Sequence, residues 1–168
     1  MSDSNSSLLK RYLKLPDQLE AAIAGLDDDQ LDLSMGTGWS IREYVHHTVE
    51  GEQMWQLFLK AILGQDGIQI PIQWYFALTQ DDWAKRWASG KRAVGPSLGL
   101  YRASTASLVE LLSNVPAEAW KHSGCVTWPD EEEETNLSVR DIVLMHLGHV
   151  EHHTGDIRAI RAGHGAQR

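Results

Sequence analysis

The chain has 168 residues and a formal net charge of −8 at pH 7, and we expect one domain covering residues 1–168. An acidic chain is not expected to bind nucleic acid, which requires a basic surface, and the single cysteine, Cys125, excludes an internal disulfide and a thiolate-rich zinc site. Because no apolar run is long enough for a bilayer or a signal peptide, we expect a cytoplasmic protein without a membrane partner.

Apolar residues at helical spacing predict a first helix between residues 9 and 26. We expect it to bend or restart near Pro16, because proline is tolerated only in the first turn of a helix. A loop rich in aspartate and glycine follows over residues 27–38. Ser40 then begins a second helix, since S-I-R-E places a glutamate three residues after the serine and predicts a capping box. The apolar stripe of this helix continues to about Leu63.

The middle of the chain predicts a long crossover and a third helix. Residues 64–95 are the least regular section, with several glycines and a tryptophan-rich patch, and we expect one or two short helices there. The third helix is predicted from about Pro96 to Ser113, where leucines recur at helical spacing.

The last part of the chain predicts a second connection and a fourth helix. The connection contains the acidic run PDEEEETN at 129–136, which predicts a solvated loop because like charges repel. Ser138 begins the fourth helix with another capping box, S-V-R-D, and Gly163 ends it. No segment of useful length shows the period-two alternation of a strand. Four long helices with two long crossovers predict an all-α four-helix bundle.

Four of the eight histidines lie within eight positions of the fourth helix. Positions i and i+4 of an α-helix lie nearly on one line, so His149 and His153 share a face, and His146 lies close to the same line. His152 points roughly 100° away from His153. Apolar residues occupy the shared face, which therefore turns toward the core. A buried imidazole needs a partner, because each unmade hydrogen bond costs about 1–3 kcal/mol.

A divalent metal ion would supply that partner, since an i,i+4 pair offers two ligands on a rigid frame. A third ligand is expected from the second helix, where periodicity leaves both His46 and His47 as candidates. The alternative is a set of histidines favoured by the dipole at the helix C-terminus. A zincin is excluded, because Glu151 lies roughly 200° around the helix from His149.

Two segments carry a family signature: WSIREYVHHTVEGE at 39–52 and HLGHVEHHTGDI at 146–157. They resemble the DinB-like superfamily, including its YfiT-type branch of metal-dependent hydrolases and thiol S-transferases. The similarity extends more weakly to LPDQLEAAIAGL at 15–26, whereas residues 64–136 match no motif of the family.

The resemblance implies a four-helix bundle in which three histidines hold one divalent metal ion. By position in the motifs these are His47, His149 and His153, so the resemblance selects His47 over His46. It also implies water at the remaining metal positions, which makes the site open, and a homodimer.

Three further residues are candidates for hydrogen bonds that support the metal ligands: Glu52, His146 and Asp156. Glu52 departs from the YfiT-type branch, which often has a histidine there, and it either accepts a hydrogen bond at the site or faces solvent. Packing or surface exposure is the alternative for His146 and Asp156. No catalytic residue is assigned.

The predicted function is a divalent-metal-dependent enzyme acting on a small molecule. Thiol S-transfer with a low-molecular-weight thiol cosubstrate is the favoured chemistry, and hydrolysis is the second. Zinc or nickel is the expected metal, with iron or manganese as alternatives. One alternative function is a non-catalytic, stress-related metal-binding bundle, and another is a metal-free interaction dimer. Four tryptophans either wall a pocket or pack in the core: Trp74, Trp83, Trp87 and Trp128.

Overall fold

Four long helical segments form a bundle in the computed structural model, which describes residues 4–129, 131 and 133–165. In chain order the helices are α1 (Asn5–Tyr12), α2 (Leu15–Ile23), α3 (Asp28–Leu31), α4 (Ile41–Gly64), α5 (Gln73–Phe76), α6 (Gln80–Arg86), α7 (Val94–Asn114) and α8 (Val139–Gly165). The consecutive helices α1 and α2 form one segment of the bundle, and α4, α7 and α8 form the other three. α4 packs against α7 and α8, and α1 and α2 pack against the same two helices. The predicted four-helix bundle is confirmed.

The starts of α2, α4 and α8 follow the local sequence signals, whereas α8 continues through Gly163, its predicted end, to Gly165. The Ser40 hydroxyl accepts a hydrogen bond from the backbone N–H of Glu43, whose carboxylate accepts one from the Ser40 N–H at 2.8 Å. Ser138 and Asp141 repeat this reciprocal arrangement at 2.9 and 3.1 Å in front of α8. Pro16 lies in the first turn of α2, where its missing N–H leaves no helical bond unmade. Both capping boxes and the restart near Pro16 are therefore confirmed.

The sequence pattern does not predict the small sheet that joins the two long connections. β1 (Ile68–Gln69) pairs in parallel with β2 (Ser123–Val126), and β2 pairs antiparallel with β3 (Thr135–Ser138). Strands of two to four residues are too short to show period-two alternation. Because β1 follows α4 and β3 leads directly into α8, the sheet lies at the end of the bundle where α4 ends and α8 begins.

Several boundaries differ from the prediction. The helix α3 lies inside the predicted loop at 27–38 and begins with its own capping box between Asp27 and Gln30. The crossover contains α5, α6 and a 3₁₀ turn at 89–91, as expected for one or two short helices. Within the predicted acidic loop, Asp130 and Glu132 lie outside the described residues. No helix among the described residues has the length and hydropathy needed to cross a membrane.

The antiparallel packing of α4 and α8 creates the site. Glu52 on α4 lies opposite His146 on α8, and Tyr44, two turns earlier on α4, lies opposite His153, two turns later on α8. The histidine face of α8 therefore meets one continuous face of α4, and this alignment brings the two sequence motifs together.

Candidate metal centre

Three imidazoles converge between α4 and α8. The Nε2 atom of His149 lies 3.2 Å from Nε2 of His47 and 3.1 Å from Nε2 of His153. One nitrogen from each of the three rings lies within 4.8 Å of the others. The i,i+4 spacing places His149 and His153 on one face, and His47 reaches them from the opposing helix. The structure thus brings together the three residues that the sequence motifs select.

Burial favours the neutral form of all three imidazoles, which is the form that a metal ion requires. Burial lowers the pKa of His47 to about 4, with a further contribution from His153. Burial and the neighbouring histidines lower the pKa of His149 to about 3. Burial also lowers the pKa of His153, although the carboxylate of Asp156 opposes this change. The cluster therefore presents lone pairs and little positive charge at neutral pH.

Hydrogen bonding alone does not satisfy this arrangement. Nε2 of His149 carries either one hydrogen or one lone pair in the plane of its ring, so it can bond one of its two neighbours but not both. A divalent ion accepts all three lone pairs at once. Ligands at about 2.0–2.1 Å from a tetrahedral zinc lie roughly 3.3 Å apart, close to the spacings found here. The donor set therefore fits a divalent metal ion.

Neighbouring side chains hold the rings in place. Oδ2 of Asp156 lies 3.1 Å from Nδ1 of His153, which directs the Nδ1 hydrogen to the carboxylate and leaves the Nε2 lone pair free. The ring of Trp39 packs against His47 at a centroid distance of 4.7 Å, and Tyr44 packs against His153 at 5.3 Å.

A second group of potential metal ligands lies at the surface of α8 and consists of His152, His153 and Asp156. That group shares His153 with the buried cluster and is not an independent site.

His46 has a different environment from His47. Its Nδ1 lies 2.9 Å from the Ser97 hydroxyl, and its Nε2 donates to the backbone carbonyl of Arg92 at 3.1 Å. Both nitrogens are thus used in contacts with α7 and the segment before it. This leaves His47 as the residue of α4 that faces the other two histidines.

Glu52 and His146 form a separate buried pair one turn from the cluster. Nδ1 of His146 lies 2.5 Å from Oε2 of Glu52, and only 1% of Glu52 is exposed. Oε1 of Glu52 accepts hydrogen bonds from the Tyr12 hydroxyl and, at 2.7 Å, from Gln56. The alternative in which Glu52 faces solvent is therefore wrong. Neither Glu52 nor His146 has a hydrogen bond to the three clustered imidazoles among the described contacts, whereas Asp156 does.

A cavity of about 320 Å³ opens beside the cluster and is lined by all three clustered histidines and by His146. Most of its remaining wall is apolar or aromatic: Met54, Trp55, Ile72, Phe76, Trp128 and Met145. No lysine or arginine lines it within the part of the chain that the structure describes. A larger groove of about 480 Å³ lies between α1 and α7, but no described histidine, cysteine or carboxylate lines it.

The predicted tryptophan wall is only partly present. Trp128 lines the cavity, whereas Trp74 is half-exposed and Trp83 and Trp87 pack around a much smaller pocket that His47 also lines. Tyr75 and Phe76 of α5 line the cavity in their place. These residues lie in the section that matches no motif, so no signal in the sequence selects them.

Comparisons with known proteins agree with this architecture. The family model for the DinB superfamily matches residues 11–157. A relative from Geobacillus thermodenitrificans (strain NG80-2), named "Putative metal-dependent hydrolase", is 26% identical over 149 residues, which cover 88% of this chain and 79% of the relative. A Bacillus cereus protein with the same name is 28% identical over 148 residues, covering 88% of this chain and 79% of that protein.

Two solved structures share the fold. YfiT from Bacillus subtilis, described as a probable metal-dependent hydrolase with an unusual four-helix bundle topology, aligns with a TM-score of 0.83 at 20% identity, covering 98% of this chain and 91% of YfiT. A mycothiol-dependent maleylpyruvate isomerase aligns with a TM-score of 0.65 at 12% identity, covering 90% of this chain and 60% of the isomerase. The match to the family model spans most of the chain, and the protein therefore belongs to the DinB superfamily.

Proposed function

We propose that His47, His149 and His153 hold one divalent metal ion and that the protein is a metal-dependent enzyme acting on a small molecule. The observation that supports this most directly is the convergence of three neutral imidazoles at the wall of a cavity. Zinc or nickel suits such a donor set best, with iron or manganese as alternatives. When bound, the ion would supply Lewis-acid chemistry that lowers the pKa of a water or thiol ligand.

An enzyme is favoured over a purely structural metal site. Structural zinc sites have four protein ligands, whereas the buried cluster contains three among the described residues. All three histidines line the cavity, so an exogenous ligand bound there would lie beside the proposed ion. The alternative of a non-catalytic metal-binding bundle does not account for this cavity.

The wall of the cavity favours a neutral, largely apolar substrate. Its volume lies at the lower end of the range for small-molecule sites, which is roughly 300–1,000 Å³, and its lining is mainly Met, Ile and aromatic side chains. With no lysine or arginine among the described lining residues, a substrate carboxylate that does not reach the metal ion would be desolvated without a cationic partner. We therefore expect weak binding of dicarboxylates.

Thiol S-transfer is the chemistry that we favour, with a low-molecular-weight thiol as cosubstrate. An apolar, aromatic wall accommodates a polarizable sulfur and keeps bulk water away from it. Hydrolysis is the second proposal, since the relatives carry the name "Putative metal-dependent hydrolase". Homodimer formation and a cytoplasmic location stay predictions for this chain.

Elemental analysis of the native protein and of His153→Ala tests the metal site. We expect about one metal ion per chain in the native protein and a sharp loss in the variant, because two histidines bind a divalent ion weakly. His152→Ala is the matched control: the His152 side chain, at the position before His153, is 72% exposed, and the variant should keep the metal. Equal metal content in all three proteins would remove His153 from the site.

Cobalt substitution then tests whether the site is open. Adding 2-mercaptoethanol to the cobalt(II) protein should produce a cobalt–sulfur absorption band if an exogenous thiol reaches the ion. An unchanged spectrum at saturating thiol would contradict the S-transfer proposal.

A further inference from the structure

His146 presents one nitrogen that no described group uses. The residue is 3% exposed and lines the cavity, whereas its partner Glu52 does not line it. Nδ1 is bonded to Glu52, and Nε2 is buried with no hydrogen-bond partner among the described residues. A buried polar atom without a partner costs about 1–3 kcal/mol. A ligand in the cavity that shares a proton with Nε2 would remove this cost.

Glu52 determines which nitrogen of His146 can exchange a proton. Burial would raise the pKa of Glu52, but His146, Tyr12 and Gln56 outweigh burial and hold the pKa below its usual value. The ionised carboxylate can only accept, so the hydrogen on Nδ1 stays directed at Glu52 whether the ring is neutral or charged. A proton is therefore gained or lost at Nε2.

We propose that His146 exchanges a proton through Nε2 with the nucleophile in the cavity, and that Glu52 acts as its positioning residue. The inference rests on the proposed function, because the three clustered histidines define where that nucleophile lies. For a thiol, the S–H bond breaks, the proton forms an N–H bond at Nε2, and the electron pair stays on the sulfur. The resulting imidazolium is stabilised by the Glu52 carboxylate. Return of the proton to a leaving group restores the neutral ring.

Other ionisable groups around the pair do not compete for this proton. Burial first, and then the charge of Glu52, raise the pKa values of Tyr12 from α1 and Tyr101 from α7, so both phenols stay neutral. His149, one turn further along α8, has a pKa lowered to about 3 by burial and by its neighbouring histidines. Among the groups that face Glu52, His146 is therefore the one placed to exchange a proton with the cavity.

Counting protons during thiol binding tests the proposal. The cobalt(II)-substituted protein is titrated with 2-mercaptoethanol at pH 7, and released protons are measured with an indicator dye. We expect almost no proton release from the wild type, because His146 keeps the proton. His146→Asn retains an N–H donor for Glu52 but lacks Nε2, so it should release about one proton per thiol and bind the thiol on the order of 10²-fold more slowly.

Two further variants separate proton exchange from a structural role. Glu52→Gln keeps the shape of the side chain but removes its charge, and it should release an intermediate number of protons. His152→Asn changes an exposed histidine of the same helix and should match the wild type. Equal proton release by the wild type and His146→Asn, at equal cobalt content, would overturn the role of His146 and leave the metal site intact.

The metal-free protein gives an independent readout. Nitrogen-15 NMR of the histidines should show Nδ1 of His146 protonated throughout a pH titration, with the change confined to Nε2. In Glu52→Gln both tautomers should appear. A change at Nδ1 in the wild type would overturn the proposal. Absence of cobalt binding by the wild type would contradict the proposed function instead, and the NMR titration would then decide the role of His146.

Discussion

His146 and His149 lie one turn apart on the same face of α8, yet their surroundings differ in kind. His149 is part-buried and meets the imidazole of His47, and burial and neighbouring histidines lower its pKa to about 3. His146 is almost fully buried and meets the carboxylate of Glu52. The residue that α4 presents opposite each ring is the main difference between them.

This contrast shows how one histidine-rich helix supports two kinds of chemistry. An imidazole opposite an imidazole brings two lone pairs together, and a cation satisfies both at once. An imidazole opposite a carboxylate donates its N–H and keeps one nitrogen for proton exchange. The antiparallel alignment of α4 with α8 thus assigns different roles to side chains that look equivalent in the sequence.

Removing the carboxylate should have the largest effect. Glu52→Ala leaves the donors of Tyr12, Gln56 and His146 without their acceptor, and a buried donor without an acceptor costs about 1–3 kcal/mol. With three such donors, we expect the free energy of unfolding of the metal-free protein to fall by at least about 3 kcal/mol in urea denaturation. The metal bound per folded chain should not change, because Glu52 has no described hydrogen bond to the cluster.

Glu151→Ala is the matched control for this prediction. Glu151 is an exposed carboxylate of α8 whose oxygen lies 3.3 Å from Arg11, and a surface pair contributes about 0–1 kcal/mol. Equal losses of stability in Glu52→Ala and Glu151→Ala would show that the buried network contributes nothing beyond a surface ion pair.

The local parts of the site could be predicted from the sequence. The spacing of His146, His149 and His153 places them on one face of any regular helix, and the two capping boxes locate the helix starts. Periodicity does not separate His46 from His47, because α4 is contacted on several sides and both of these neighbouring residues are substantially buried. The family motif selects His47 where the helical pattern leaves both residues open.

The contacts that join distant segments could not be predicted. Tyr12 reaches Glu52 across the bundle, and this pairing depends on how α1 and α4 are placed by the helices between them. The residues of the cavity wall that come from α5 and from the second connection could not be predicted for a similar reason. Their positions depend on a sheet whose strands have two to four residues, too few to produce a pattern.

Replacing Asp156 should have an intermediate effect, and it tests the role of a carboxylate beside a proposed metal ligand. Its carboxylate accepts a hydrogen bond from Nδ1 of His153, a proposed metal ligand, as the carboxylate of Glu52 does from Nδ1 of His146. Loss of such a partner reduces metal affinity by about 10–100-fold. We expect that loss for Asp156→Ala in a competition titration with a chelator, and a smaller loss for Asp156→Asn. Asp17→Ala, which removes an exposed carboxylate on α2, should leave the affinity unchanged.

Replacing Gly51 should have the smallest effect, and it tests the position of the His149 ring. A Cβ atom at Gly51 would lie 3.3 Å from Cε1 of His149, so Gly51→Ala forces the ring to move by a few tenths of an ångström. Metal affinity should fall by less than about tenfold, while the helix gains about 0.5–1 kcal/mol from the better helix former.

Gly99→Ala is the control. Gly99 is exposed on α7 with no atom near its Cβ position, so the variant should gain stability at unchanged affinity. Because affinity and stability move in opposite directions in Gly51→Ala, general unfolding cannot explain the result. Unchanged affinity would show that His149 binds no metal in the position described.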